Sequence, residues 1–142
     1  MGFRFLDHTA DIQVECWGEN LAEAFSQCAL SLMTVITPDL SKINPRSEKE
    51  VRITSEDKES LLFDFLSEFL YIFDVEGLIF NDIWVVYINR TQLGYDMKAI
   101  LKGERFNDKK HEIGTEVKAI TYSFMEINEN TEKTKLKVVF DI

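Results

Sequence analysis

Downstream of Gly77 the chain holds four strand-patterned segments and no helical period, and this constrains its fold more than any other feature. Ile83 to Arg90 and Tyr95 to Lys102 read as a hairpin, with Gln92, Leu93 and Gly94 in a short glycine-containing link. Ala119 to Ile127 and Lys135 to Ile142 read as a second hairpin across Asn128 to Thr134. Parallel neighbours need a long crossover, usually a helix. None joins these segments, so they are expected to be antiparallel neighbours.

The upstream half supplies the helices. Ile12, Val14 and Cys16 alternate with Gln13, Glu15 and Trp17, the period of a half-buried strand. Gly18 ends it. Asn20 is placed to cap a helix, with Glu23 in the capping-box position. Leu21, Ala24, Phe25, Cys28, Leu32 and Val35 form that helix's apolar stripe, and Thr37-Pro38-Asp39 stops it. Residues Asp39 to Glu48 read as a loop, and Val51 and Ile53 as a short strand. A second helix spans about Asp57 to Glu76, with Gly77 at its C-terminal end. Its broad apolar face, Leu61 through Phe73, suits a central helix lying across a sheet. The order is strand, helix, strand, helix, then four strands. The expected fold is α+β: one or two mostly antiparallel layers with two packed helices, a compact single domain over residues 1–142.

Composition narrows the function classes. The 142 residues are 45% hydrophobic and 29% charged, with a net charge of −9. Duplex affinity rests on cationic neutralisation of phosphates, so direct nucleic-acid binding is not expected. Docking on a basic protein partner is compatible with this charge. There is no apolar run of membrane-spanning length and no signal-peptide core near Met1, so a cytoplasmic address is expected and no membrane partner. The two cysteines, Cys16 and Cys28, fit no zinc spacing and read as core thiols.

Candidate chemistry gathers at two places distant in sequence. Asp7-His8-Thr9-Ala10-Asp11 puts two carboxylates, an imidazole and a hydroxyl before the first strand. Asp11 is out of phase with the core residues Ile12, Val14 and Cys16. Asp141 is likewise out of phase with Leu136, Val138 and Phe140. If the two strands are neighbours, the carboxylates of Asp11 and Asp141 meet, with the α-carboxylate of Ile142 next door and Asp7 and His8 just upstream. Such a set suits calcium, magnesium or manganese, or zinc through His8. The alternative on spacing alone is two unrelated, solvated aspartates. Asp57, Asp64 and Glu68 lie on one helical flank and read as a solvated acidic face. His111, beside Lys109 and Lys110, reads as a surface residue. Lys118, inside a mostly apolar run, reads on spacing as a lysine snorkelling from a strand edge. The phosphate-loop, dinucleotide-loop, serine-hydrolase and zinc-protease motifs are all missing from the sequence.

Taken together these segments resemble the archease family. The resemblance rests on Asp7-His8-Thr9-Ala10-Asp11, Gly18 with Leu21 and Glu23-Ala24-Phe25, the Leu61-Leu62 helix with Glu68 and Leu70, Gly103-Glu104, Val117 to Tyr122, and Asp141-Ile142, in that order. It covers essentially the whole chain. Leu62-Phe63-Asp64-Phe65-Leu66 is somewhat more aromatic than the family pattern.

The resemblance implies a compact fold of related strand-helix-strand-strand units. It also implies a protein cofactor of the GTP-dependent RNA ligase of tRNA splicing and RNA repair, and so an indirect association with tRNA. That ligase joins a 3′-phosphate or 2′,3′-cyclic phosphate end to a 5′-hydroxyl through a guanylylated histidine and manganese. Archeases speed guanylylation and support multiple turnover, as activators rather than catalysts. The resemblance assigns Asp11 and Asp141 to a divalent cation, calcium first, then manganese or magnesium, with Ile142 beside them. Further candidates are Asp7, His8, Lys118 and Glu104. His8 is expected to orient Asp11 or complete the ion shell, and Lys118 to contact a phosphate or a ligase carboxylate. Two other readings are a chaperone-like partner of a tRNA cytosine methyltransferase and a stand-alone metal-dependent hydrolase.

Overall fold

The computed structural model describes residues 1–6 and 10–142, so Asp7, His8 and Thr9 lie outside the described residues. Seven strands and two α-helices form two antiparallel sheets with the helices packed on them. The α+β class and the antiparallel layers expected from the sequence are present. β1 (Gly2–Leu6), β2 (Ile12–Gly18), β7 (Thr134–Asp141) and β6 (Ala119–Glu129) make one sheet in that order. β3 (Ser47–Ser55), β5 (Gly94–Arg105) and β4 (Leu78–Thr91) make the other. The four downstream strands therefore pair as two hairpins, one in each sheet, rather than as a single run of neighbours. β1 adds a strand ahead of the expected element order. It is a five-residue edge with Phe5 nearly half exposed, so it carries little alternation to read.

Each helix touches strands of both sheets. Buried residues surround much of α1 (Leu21–Ile36), including Gln27 and Ser31 on its polar phase. A helix buried on several sides belongs between layers. Asn20 accepts from the Glu23 N–H at 2.9 Å, as its capping position predicts. α2 (Lys58–Glu76) starts on a full capping box between Asp57 and Ser60. It ends at Gly77, whose φ of 69° places it in the left-handed region that glycine adopts without a Cβ clash. Edge-on and stacked rings run through the core from Phe25 to Phe65, Phe69 and Phe80, tying α1 to α2 and β4. Cys16 and Cys28 are free and fully buried in this core, as their phase requires. No helix among the described residues is long and apolar enough to cross a membrane.

The segment after β5 is pinned rather than loose. His111 is buried, which corrects its reading as a surface residue. Its ring stacks on Phe106, its Nδ1 accepts from the Asn107 N–H at 3.0 Å, and its Nε2 lies 3.0 Å from Glu104 Oε2. With Nδ1 accepting, the proton sits on Nε2 and is donated to the carboxylate. A polar Lys-Lys-His run has no period to betray such burial. Glu104 also accepts from the Asn44 N–H at 2.7 Å and pairs with Lys110 at 2.6 Å. Burial is the largest single influence and pushes the Glu104 carboxyl up. The Asn44 N–H, the Lys110 ammonium and His111 together outweigh it and hold it at about 2.

This node yields a pH-dependent prediction. A carboxyl lowered on folding contributes stability above its unfolded value near 4.3, and that contribution is lost as pH falls through the folded value. Glu104→Gln should destabilise the protein at neutral pH by about 1.5–3 kcal/mol, the usual range for hydrogen bonds to a charged group. Thermal melts of wild type and variant should converge as pH drops from about 4.5 towards 2. A gap that stays constant over that window would show that the charge of Glu104 contributes nothing.

Candidate functional site

The site is set by the register of β2 against β7. Ile12 pairs with Phe140, Val14 with Val138, and Cys16 with Leu136, all antiparallel. Ile12, Val14, Cys16, Leu136, Val138 and Phe140 face the core, the buried or part-buried side of the sheet. The ladder ends at Ile12–Phe140; Asp11 sits in the bend just before β2 and Asp141 closes β7, so both aspartates lie at the same end of this ladder. Both are part-exposed.

Among the described residues, the charges of Glu15 and Lys137 on this ladder are compensated. Glu15, almost fully buried, pairs with Arg4 at 2.9 Å and with Lys135 at 3.8 Å. Lys137 lies opposite Glu15 in the register and reaches Glu126 at 3.8 Å. Asp11 and Asp141 have no ion-pair partner among the described residues. Two like charges left unpaired at one end of a ladder repel each other, so the fold carries a cost there.

Lys118 adjoins the pair through the backbone. Its N–H donates to the Asp141 carbonyl at 2.8 Å, and Ala119 pairs with Asp141 as β6 begins. The Lys118 side chain is exposed. Two cavities flank this end. One, of about 440 Å³, is lined by Asp11, Ile12, Phe5, Leu6, Thr34, Val35, Pro38, Gly114 and Thr115. The other, of about 330 Å³, is lined by Lys118, Asp74, Glu116 and the apolar residues Ile36, Leu70, Phe73, Phe106, Ile113 and Val117, with Gly114 and Thr115 again shared.

Gly114 and Thr115 carry no motif, and the sequence reading passed over them. Their N–H groups donate to Ile36 and Val35 carbonyls at 2.9 and 2.8 Å, closing the C-terminal end of α1. A Cβ on Gly114 would lie 2.1 Å from the Val35 carbonyl oxygen, so only glycine allows this approach. The loop glycine was the one available signal.

Of the other candidates, Ile142 packs its side chain on the core beside Asp141. Glu104 sits on β5 of the other sheet and is engaged by Asn44, Lys110 and His111. Asp7 and His8 lie outside the described residues. Among the described residues, no group of three or more His, Cys, Asp or Glu side chains is arranged to hold a metal ion. Asp11 and Asp141 offer oxygen donors of the kind a hard divalent cation takes, and its remaining positions would fall to water or to groups outside this set.

Comparison with known proteins places this geometry in context. The model of the Archease protein family matches residues 3–142. Protein archease of Methanosarcina mazei is 39% identical over 140 residues, covering 99% of this chain and 95% of the relative. The solution structure of Methanobacterium thermoautotrophicum protein 1598 superposes with a TM-score of 0.86 at 38% identity, covering 99% of each chain. A crystal structure described as an archease and possible chaperone, from Thermotoga maritima, gives 0.63 at 27% identity, covering 96% of this chain and 94% of that one.

The two unpaired carboxylates at this end make a testable electrostatic claim. In chelator and low salt, Asp11→Asn should stabilise the apo protein by about 0.2–1 kcal/mol. That corresponds to a Tm rise of a few degrees at most for a domain of this size. The gain should shrink in high salt as screening shortens to about 3 Å. A fall in Tm at low salt would mean that the two groups do not repel.

Proposed function

The chain belongs to the archease family, and on that footing we propose that it is a protein cofactor of the GTP-dependent RNA ligase of tRNA splicing and RNA repair. In this reading it promotes guanylylation of the ligase and its multiple turnover, and acts as an activator rather than a catalyst. The observation that carries the reading is that Asp11 and Asp141, neither with an ion-pair partner among the described residues, come to the same end of the β2–β7 ladder, where the Lys118 N–H bonds the Asp141 carbonyl.

Three features support it. The net charge of −9 disfavours direct RNA binding and favours a basic protein partner, so tRNA is met only through that partner. Asp11 and Asp141, with Ile142 beside them, would hold a divalent cation, calcium first, then manganese or magnesium. When bound, such an ion supplies positive charge against phosphate oxygens. Lys118, exposed and bonded to the Asp141 carbonyl through its backbone N–H, would contact a phosphate or a carboxylate of the ligase. The description of the Thermotoga relative as a possible chaperone favours, as second reading, a chaperone-like partner of a tRNA cytosine methyltransferase.

Two measurements check this. Calcium or manganese at a hundredfold its dissociation constant should stabilise the wild type by about 2.7 kcal/mol, and Asp11→Asn should show no such shift. An equal shift in both proteins would remove the ion from these residues. The functional test is ligated RNA per ligase active site, with GTP and manganese present. Substoichiometric wild-type protein should raise that ratio far above one. Asp141→Asn should lose the effect while staying folded, since its side chain leaves no core cavity. Lys118→Ala should weaken it about two- to fivefold, the scale of one exposed charge contact. A ratio that stays near one with wild type present would discard the ligase reading and advance the methyltransferase partner.

A further inference from the structure

The cavity of about 330 Å³ that Lys118 lines is walled by the ends of both helices. α2 contributes Leu70, Phe73 and Asp74, which share one helical face at i, i+3 and i+4. α1 contributes its last residue, Ile36. The 113–118 segment supplies most of the remaining wall. That segment is pinned, by the Gly114 and Thr115 N–H groups on the Ile36 and Val35 carbonyls and by the Lys118 N–H on the Asp141 carbonyl.

The lining is largely apolar and held in place. Phe73 meets Phe106 edge-on, with centroids 5.9 Å apart, and Phe106 stacks on the buried His111 at 5.7 Å. The node of Glu104, Lys110 and His111 thereby fixes an aromatic wall. Val117 is buried, whereas Ile113 is 74% exposed. A preformed cavity of a few hundred Å³, lined by apolar and aromatic side chains with a few polar groups, is the usual form of a binding pocket. Ile113 adds apolar surface beside it that the core does not use.

The charge set on this cavity is negative on balance. Asp74 and Glu116 are exposed, and neither has an ion-pair partner among the described residues. Lys118 is the one cation in the lining. Phe73, Asp74 and Ile36 belong to the last turns of their helices, where the helix dipole is negative, and neither helix has a basic residue in that turn. Lys49 is taken up by Glu76, and Arg105, which passes Gly77, is not part of the lining. Two carboxylates and two helix ends against one ammonium favour a cationic neighbour and disfavour phosphate.

We infer that this cavity receives an aromatic side chain of a partner protein, flanked in the partner's chain by lysine or arginine. A large ring seated in a preformed pocket is the usual anchor of a protein interface, and a ring meets Phe73 and Phe106 on favourable terms. The flanking cations pair with Asp74 and Glu116. Gly114 and Thr115 line this cavity and also the one that Asp11 lines, so a partner docked over the Asp11 and Asp141 end reaches both. This deepens the reading of the chain as a protein that acts by docking on a basic partner, and rests on it.

The test uses the full chain and no ligase, so its failure leaves the ligase reading standing, and the ligation assay leaves this one standing. The probes are three capped pentapeptides, titrated into labelled protein and followed by amide chemical shifts. The first is glycine-lysine-phenylalanine-lysine-glycine; the second carries alanine at its centre, and the third glutamate for both lysines. The first should shift Leu70, Phe73, Asp74 and residues 113–118. The alanine peptide should bind at least about tenfold more weakly, the scale of a lost anchor. The glutamate peptide should bind at least about fivefold more weakly, the scale of two exposed ion pairs. Thr115→Phe places a ring in the cavity from an exposed position and keeps the backbone N–H, so it should abolish binding with Tm unchanged. Ile113→Ser, at an exposed side chain, should weaken binding about three- to tenfold. No binding, equal binding of the phenylalanine and alanine peptides, equal or tighter binding of the glutamate peptide, or full affinity in both variants would each overturn the inference. So would concentration-dependent shifts of these residues in the chain alone, which would assign the cavity to a second copy.

Discussion

The pairing of β2 with β7 is the interaction on which the rest of the structure depends. It joins residues 12–18 to residues 134–140 and carries a core phase on both strands. A slip of one residue would turn Val14, Cys16, Val138 and Phe140, all fully buried, to the outer face. The cost of that slip is the loss of several buried side chains at about 1.5–3 kcal/mol for each large one. Ion pairs on the outer face reinforce the same register. Arg4 lies opposite Glu15 in the β1–β2 ladder and bonds it, and Lys135 approaches from β7. Asp11 and Asp141 are thus brought to the same end of the ladder by the burial of their neighbours, not by any attraction between them.

This explains how a destabilising pair persists. Neighbouring like charges in a sheet cost at most a few tenths to about one kcal/mol, which is small beside the burial that fixes the register. The fold tolerates the charge because it cannot escape it without moving the core. A bulge in β6, between Thr121 and Glu126, follows the same logic. Its ends are fixed by Ile120, buried opposite Phe140, and by Ile127, part-buried opposite Leu136. Between those anchors Phe124 takes a φ of 54°, which local propensity alone would reject.

What the sequence made legible was whatever has a period. Ile12 to Cys16, Leu136 to Phe140 and the stripes of α1 and α2 announced their strands, helices and core faces, and the out-of-phase positions of Asp11 and Asp141 came with them. Adjacency of β2 and β7 is a long-range fact, and phase is silent on it; family resemblance, not spacing, joined these residues. His111 was misread because burial in a polar run is decided by partners such as Phe106 and Glu104 that have no fixed spacing from it. β1 was missed because a short edge strand with exposed Phe5 lacks clean alternation. The β6 bulge was invisible for a different reason: an irregularity has no period, and Ala119 to Ile127 reads as one uninterrupted strand.

The α1 C-terminus adds a last electrostatic element to the acidic end. A helix C-terminus carries about half a negative charge in its unsatisfied carbonyls. α1 has no basic residue in its last turn to offset it. Backbone N–H groups of Gly114 and Thr115 take up two of those carbonyls, but they bring no charge. Val35 and Asp11 line the same cavity, so the helix end and the first carboxylate act on one volume. The helix terminus and Asp11 both put negative charge on that cavity, and Asp141 stands at the same end of the ladder. A neutral or anionic group entering that end gains nothing from it, whereas a divalent cation or the basic surface of a protein gains from every term. Gly114 is what lets the chain close this helix end, since any side chain there would meet the Val35 carbonyl oxygen and force the segment off α1.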